Sequence, residues 1–242
     1  MIPKIIHYCW FGKKPLPNDA LKCISSWRKY CPDYEIIEWN EDNFDVSMCN
    51  YAKEAYEERK WAFVSDYARF YILYTYGGIY LDTDVELIKS IDDIVANGNF
   101  MGIESNNPIY VAPGLGLGAE KGNRFYNEIL EFYKVRHFRK SDGSLDLTTV
   151  VVYVTDCLKK YGLKDSVGIQ KVEGINIYPI DYFCPKDVIT GELKVTNNTY
   201  AIHHFNASWI SKKQKLKNHI KRLLLRVIGK ETYAYIRAKF MR

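Results

Sequence analysis

Lys4-Ile5-Ile6-His7-Tyr8-Cys9-Trp10 is a β-rich run closed by Gly12, and it opens the unit that sets the fold class. Asn18 or Asp19 can cap a helix running through Ala20-Leu21-Lys22-Cys23-Ile24-Ser25-Ser26-Trp27 and stopping near Cys31-Pro32. Tyr34-Glu35-Ile36-Ile37-Glu38-Trp39 alternates and reads as a second strand. A strand–helix–strand start, echoed later in the chain, predicts an α/β architecture with a central, mainly parallel sheet flanked by helices. Such sheets bind ligands outside the carboxyl ends of their strands.

Working outward, residues 51–76 are helical in composition, with two helices meeting near Trp61 and Gly77-Gly78 ending the second in a left-handed conformation. Ile79-Tyr80-Leu81-Asp82-Thr83-Asp84-Val85-Glu86-Leu87 reads as the next strand. Further strands are expected at 99–103, 175–179 and 200–205, and helices at 123–135 and 148–161. Residues 139–147 read as a loop. No repeat or low-complexity tract interrupts this, so one domain is expected over 1–210, followed by a helical tail over 211–242.

The 242 residues are 47% hydrophobic and 26% charged, the balance of a globular chain rather than a disordered or collagenous one. Twenty tyrosines suit a cleft that handles rings and hydroxyls, although most must simply fill element faces. The net charge of +5 is unevenly placed: residues 211–242 hold eleven Lys/Arg and one Glu, leaving 23 basic and 28 acidic residues over 1–210. Within the tail, Leu216, Ile220, Leu223, Leu224, Val227 and Ile228 recur at helical spacing, with Lys213, Lys217, Lys221, Arg222 and Arg226 largely on other faces. A basic amphipathic helix of this kind is expected to bind an anionic membrane surface, or else to dock on its own domain. No signal peptide or membrane-length apolar run is visible, and the six cysteines show no metal spacing. They are read as reduced thiols in a cytoplasmic protein.

On a strand, residues two apart share a face, so Tyr80, Asp82, Asp84 and Glu86 are expected opposite Ile79, Leu81 and Val85. Two carboxylates held that close repel, and a hard cation such as Mg²⁺ or Mn²⁺ relieves the repulsion while leaving positions for phosphate oxygens. Asp66 and Arg69 stand i, i+3 on the preceding helix, beside Ser65, and are expected at its wet end near the Asp-x-Asp pair. The plain alternative is a surface ion pair of little worth. Late in the chain, His203-His204 face opposite ways on a strand, so one can be a ligand while the other is structural; Ser208 and Trp209 follow.

Together, residues 5–12, Ala62-Phe63-Val64-Ser65-Asp66-Tyr67-Ala68-Arg69, Gly77-Gly78-Ile79-Tyr80-Leu81-Asp82-Thr83-Asp84 and His203…Ser208-Trp209 resemble the DXD sugar transferases of glycosyltransferase family 32. That family includes capsular and lipopolysaccharide transferases and is similar to the catalytic domains of large clostridial glucosylating toxins. The resemblance implies a GT-A-type nucleotide-sugar-binding fold, transfer with retention, and a nucleotide-sugar donor, with a UDP-sugar ahead of a GDP-sugar. It also implies Mn²⁺ or Mg²⁺ as cofactor and a glycan or lipid-linked acceptor in surface polysaccharide synthesis. The tail would place the enzyme at the inner face of the cytoplasmic membrane. By the same resemblance Trp10 would stack on the base, and Asp66 and Arg69 would contact the donor sugar with Ser65 close by. Tyr80 would line the nucleotide pocket, Asp82 would bridge ribose and metal, and Asp84 would bind the metal. His203, rather than His204, would complete the metal shell, and Ser208 and Trp209 would cover the β-phosphate. The segment 109–117, with Pro113 and with Gly114, Gly116 and the following Gly118, carries no acceptor signature.

Two other readings fit parts of the sequence. Leu81-Asp82-Thr83-Asp84-Val85 also fits a haloacid-dehalogenase-type phosphatase, but that motif belongs near the N-terminus and needs a later acidic pair. A nucleic-acid arm on an inert body would use the basic tail, yet the acidic body argues against it and no nucleic-acid partner is expected.

Overall fold

The computed structural model describes residues 1–166, 168–188 and 190–206. The expected tail over 211–242, together with Ser208 and Trp209, lies outside the described residues.

Among the described residues, ten strands and seven α-helices follow in chain order. The first half comprises β1 (Ile5–Cys9), α1 (Asn18–Tyr30), β2 (Glu35–Trp39), α2 (Asn50–Glu57), α3 (Trp61–Tyr76), β3 (Gly78–Tyr80), β4 (Val85–Leu87) and α4 (Asp92–Ala96). The second comprises β5 (Phe100–Asn106), β6 (Ile109–Val111), β7 (Leu117–Ala119), α5 (Arg124–Lys134), α6 (Val150–Lys160), β8 (Gln170–Val172), β9 (Ile175–Tyr178), α7 (Ile180–Phe183) and β10 (Ala201–His203). The main sheet runs β2-β1-β3-β7-β5-β9-β8, with β6 added beside β5. Strands β2, β1, β3, β5 and β9 share one direction, while β7, β8 and β6 oppose it. The sheet is therefore mixed but mainly parallel, as expected. A separate two-stranded antiparallel sheet pairs β10 with β4.

Helix α1 forms where its apolar residues fall on one stripe: Ala20, Cys23, Ile24 and Trp27 are buried. Its cap differs from expectation. Pro17 holds the N-cap position and Asn18 is already helical, because the fixed φ of proline suits the residue just outside the first turn. Trp27 donates its indole N–H to the Val85 carbonyl at 2.7 Å, and Ser26 Oγ accepts from the Leu87 amide at 2.9 Å. Both bonds pin β4 against α1.

His7, fully buried on β1, holds the start of the main sheet together. Its Nε2 donates to the Gly77 carbonyl at 2.9 Å while its Nδ1 accepts from Trp39 Nε1 at 3.0 Å. Burial pushes its pKa down to about 4, so the ring is neutral and one nitrogen can accept. The turn at Gly77 and Gly78 has φ of +71° and +103°. A Cβ on Gly78 would lie 2.9 Å from His7 Nε2, so this corner admits glycine for both backbone and space.

The segment 79–87 departs from the expected single strand. Strand β3 stops at Tyr80, the Asp82 amide turns aside to bond the Gly114 carbonyl at 3.1 Å, and the Val85 amide closes back on the Asp82 carbonyl at 3.0 Å. Asp and Thr side chains favour such turns over a ladder, and β4 then joins a different sheet. Tyr80 consequently faces the interior, 1% exposed, rather than sharing a wet face with Asp82, Asp84 and Glu86.

Candidate functional site

The turn between β3 and β4 lies where β1 and β3 end and where β10, antiparallel to β4, also ends. Asp82 and Asp84 occupy it. His203, the last residue of β10, pairs in register with Val85 and reaches Asp84 Oδ1 with Nε2 at 3.1 Å. One ligand atom from each of Asp82, Asp84 and His203 falls within 4.8 Å of the others. Two carboxylates and an imidazole form a donor set that fits a divalent cation. His204 points elsewhere, with Nε2 2.8 Å from Glu86 Oε2. The period-two alternation of the strand thus sends one histidine to each acidic partner.

Asp84 is held from several sides. Its Oδ2 accepts from the Asn206 amide at 2.8 Å and its backbone carbonyl accepts from the His204 amide at 2.9 Å. Burial alone would raise its carboxyl, but the adjacent His203 charge and these hydrogen bonds hold it below the usual range. For His203, burial favours the neutral ring, yet Asp84 above all, and Asp82 too, carry its pKa up to about 10. A positive charge is what this corner stabilises. A bound cation would supply that charge in place of a proton.

Asp66 and Arg69 are not at a wet helix end. They are 7% and 4% exposed, within a stretch of α3 buried continuously from Val64 to Phe70. The helix passes behind the sheet, so it is covered on most sides. Arg69 nevertheless reaches the turn: its Nη2 lies 3.0 Å from Asp66 Oδ1 and 3.4 Å from Asp82 Oδ1. Its Nε donates to the Ser65 carbonyl at 3.0 Å, and its guanidinium stacks 4.8 Å over the Tyr80 ring. The Tyr80 hydroxyl in turn donates to Asp82 Oδ1 at 3.1 Å. Tyr80 therefore supports Arg69 and Asp82 from beneath instead of lining an open pocket. Burial pushes the Asp66 carboxyl up to about 6 against the pull of Arg69.

The remaining expected residues are placed as follows. Trp10 stands just past the end of β1, half-buried, with its indole N–H donating to the Lys14 carbonyl. The Ser65 hydroxyl donates to the Trp61 carbonyl at 3.1 Å, so it is satisfied within its own helix. Glu104, Asp142 and Asp146 are carboxylates that could act as a base on an acceptor hydroxyl; Asp142 caps an exposed turn at Ser144, and Asp146 is locked to Arg136 and Tyr153. Glu104, on β5, is partly buried. Burial raises its carboxyl, with His203 pulling against and the Asp82 charge adding to the rise. It sits where the β5–β6 register slips between Ile103 and Ser105, a bulge that sequence periodicity does not announce.

All six cysteines are buried free thiols, with burial raising Cys9 to about 12. Among the described residues, no helix is long and apolar enough to cross a membrane.

Comparison with known proteins agrees with this arrangement. Residues 17–101 match the family described as "Glycosyltransferase sugar-binding region containing DXD motif". The chain is 26% identical over 147 residues to inositol phosphoceramide mannosyltransferase 1 of Schizosaccharomyces pombe, a match covering 56% of this chain and 44% of that protein. An uncharacterized glycosyltransferase of Acanthamoeba polyphaga mimivirus is 32% identical over 106 residues, covering 41% of this chain and 42% of the other. The chain thus spans less than half the length of these relatives. Among solved structures, the PaToxG glycosyltransferase superposes with a TM-score of 0.51 at 20% identity, covering 66% of this chain and 69% of that one, a likeness of fold. The stretch that matches this family description, residues 17–101, contains Ser65, Asp66, Arg69, Tyr80, Asp82 and Asp84.

Proposed function

We propose that this protein is a metal-dependent, retaining glycosyltransferase that moves a sugar from a nucleotide-diphosphate donor to a hydroxyl of a glycan or lipid-linked acceptor. The observation that carries this reading is the convergence of Asp82, Asp84 and His203 within 4.8 Å, beside an arginine already paired to a buried carboxylate. Those three residues would hold Mn²⁺ or Mg²⁺. Such an ion supplies positive charge opposite the diphosphate as it leaves.

The chain's own groups do the rest. Asp66, the Ser65 carbonyl and Tyr80 fix Arg69 in one orientation, so its charge faces the leaving group without reorganisation during the reaction. Asp82, held by Tyr80, would take a ribose hydroxyl, and Trp10, just past the end of β1, would stack on the base. Retention requires no carboxylate acting as base on the acceptor; Asp142 and Asp146 are engaged elsewhere, and Glu104 would be the candidate base if the product proved inverted.

A UDP-sugar stands ahead of a GDP-sugar as donor. The relatives' names add mannose to the sugars to be tested on either base, and inositol-bearing lipids to the acceptors beside surface polysaccharide. A panel of sugar nucleotides with Mn²⁺, followed by release of nucleoside diphosphate, tests the reading, and the product's anomeric configuration tests retention. No release from any donor, or full release in excess chelator, would sink it. Membrane attachment at the cytoplasmic face rests on the basic pattern of 211–242. Deleting residues 212–242 should move the protein from the membrane pellet to the supernatant; an unchanged distribution removes that part of the proposal.

A further inference from the structure

The glycine-bearing segment that gave no acceptor signature lies against the site. Residues 111–119 are buried throughout, and the Ala112 amide ties them to β5 through the Gly102 carbonyl at 3.0 Å. Three of its glycines meet side chains at short range. A Cβ on Gly116 would lie 3.3 Å from Phe183, and one on Gly118 would lie 2.1 Å from Phe100. Those two rings stack on each other in the core, so these two glycines serve packing.

Gly114 meets charge instead. A Cβ there would lie 1.9 Å from Asp82 Oδ2, 2.9 Å from Asp82 Cγ and 3.2 Å from Arg69 Nη1. The Gly114 carbonyl also accepts from the Asp82 amide at 3.1 Å, the bond that ends β3. One residue therefore takes the Asp82 backbone and leaves space for its carboxylate. On its other side, Asp82 Oδ1 is held by Tyr80 and Arg69.

We propose that Gly114 is a positioning residue: its bare Cα is the wall against which the Asp82 carboxylate is seated for cation binding. Any side chain at 114 forces a choice. Either the carboxylate swings off Tyr80 and Arg69, or the segment retreats and breaks the bond from the Asp82 amide. This inference rests on the proposed metal-dependent reading of the same site.

The test reads Mn²⁺ binding by calorimetry, with and without UDP, on the full chain. Groups that orient a metal ligand typically change affinity roughly 10–100-fold when altered, and Gly114→Ala is expected to weaken Mn²⁺ binding by about that factor. Gly116→Ala, which presses on Phe183 and meets Leu81 only at an ordinary 3.7 Å, is expected to lower the thermal midpoint and leave Mn²⁺ affinity unchanged. If Gly114 acts through Asp82, adding Gly114→Ala to Asp82→Ala changes Mn²⁺ affinity no further, because the two effects are not independent. Should Gly114→Ala fail to fold, recovery of folding in the double variant supports the collision with Asp82, and failure of both overturns it.

The outcomes separate the two claims. No Mn²⁺ binding by the unaltered protein overturns the metal reading and this inference with it. Binding that weakens in Asp82→Ala but not in Gly114→Ala overturns this inference alone.

Discussion

Two clusters in this protein are built from the same parts, an arginine, carboxylate and tyrosine, and they are finished to different degrees. Around Arg136, the buried Asp146 accepts from the guanidinium, from the Tyr153 hydroxyl at 2.8 Å and from the Thr148 amide at 3.2 Å. The guanidinium stacks 4.6 Å over Tyr153 and 4.7 Å over Phe132. Burial would raise the Asp146 carboxyl, yet these donors bring it down to about 2. Around Arg69 the stacking on Tyr80 is similar, but one guanidinium serves Asp66 and Asp82 together, and burial leaves Asp66 at about 6. In the first cluster three donors answer the Asp146 carboxylate, with Arg136 Nε left without a partner among the described residues, and the cluster fastens the loop at 136–148 to α6. The second retains an excess of negative demand, with Asp84 and His203 beside it, and that is the condition in which a site binds something.

The largest effect that could break this contrast is at Asp84. Asp84→Asn is expected to lower turnover by about 10²–10³-fold or more, as loss of charge stabilisation on a leaving group does, with a thermal midpoint near that of the unaltered protein. Full turnover in that variant would mean the second cluster is as structural as the first. Next come the two arginines. Arg69→Met is expected to cut kcat/KM by roughly 10²-fold, since in the proposed reading Arg69 would face the leaving group. Arg136→Met should leave kcat/KM nearly unchanged while removing about 1–3 kcal/mol of stability in urea unfolding, because a buried acceptor loses a charged donor. A similar loss of kcat/KM in both would erase the distinction. The smallest effect is with pH. Asp146 has a carboxyl lowered in the folded state, so its contribution is complete above about pH 4 and is lost as pH falls toward 2. Thermal midpoints measured across that range should fall less steeply in Asp146→Asn than in the unaltered protein; identical slopes would show that Asp146 is not the fastened group.

The expectations drawn from local pattern held best where the pattern was local. The strand–helix–strand start, the two helices meeting at Trp61 and the turn at Gly77-Gly78 are where composition and punctuation placed them. The short elements β6, β7, β8, α4 and α7 carried no such signal, since three to five residues hold too little periodicity to register. The segment 79–87 misled for a related reason. Its alternation of apolar and acidic residues imitates a strand, but the Asp82 amide finds a partner at Gly114, thirty-odd residues away in sequence, and the ladder ends there.

At the site, the types of residue were legible and their relations were not. Asp82, Asp84, Asp66, Arg69 and the histidine pair stand out because a run of acidic groups beside glycines and an arginine in an apolar helix need an explanation in chemistry. Which histidine faces Asp84 depends on the register of β10 against β4, a long-range pairing that no local rule specifies. The burial of Asp66, Arg69 and Tyr80 likewise depends on α3 being covered on nearly every side, which is a property of the packed molecule. Residue identity limits what chemistry is possible. Distance, burial and shared partners set which of those possibilities have their charges answered and which are left for a ligand.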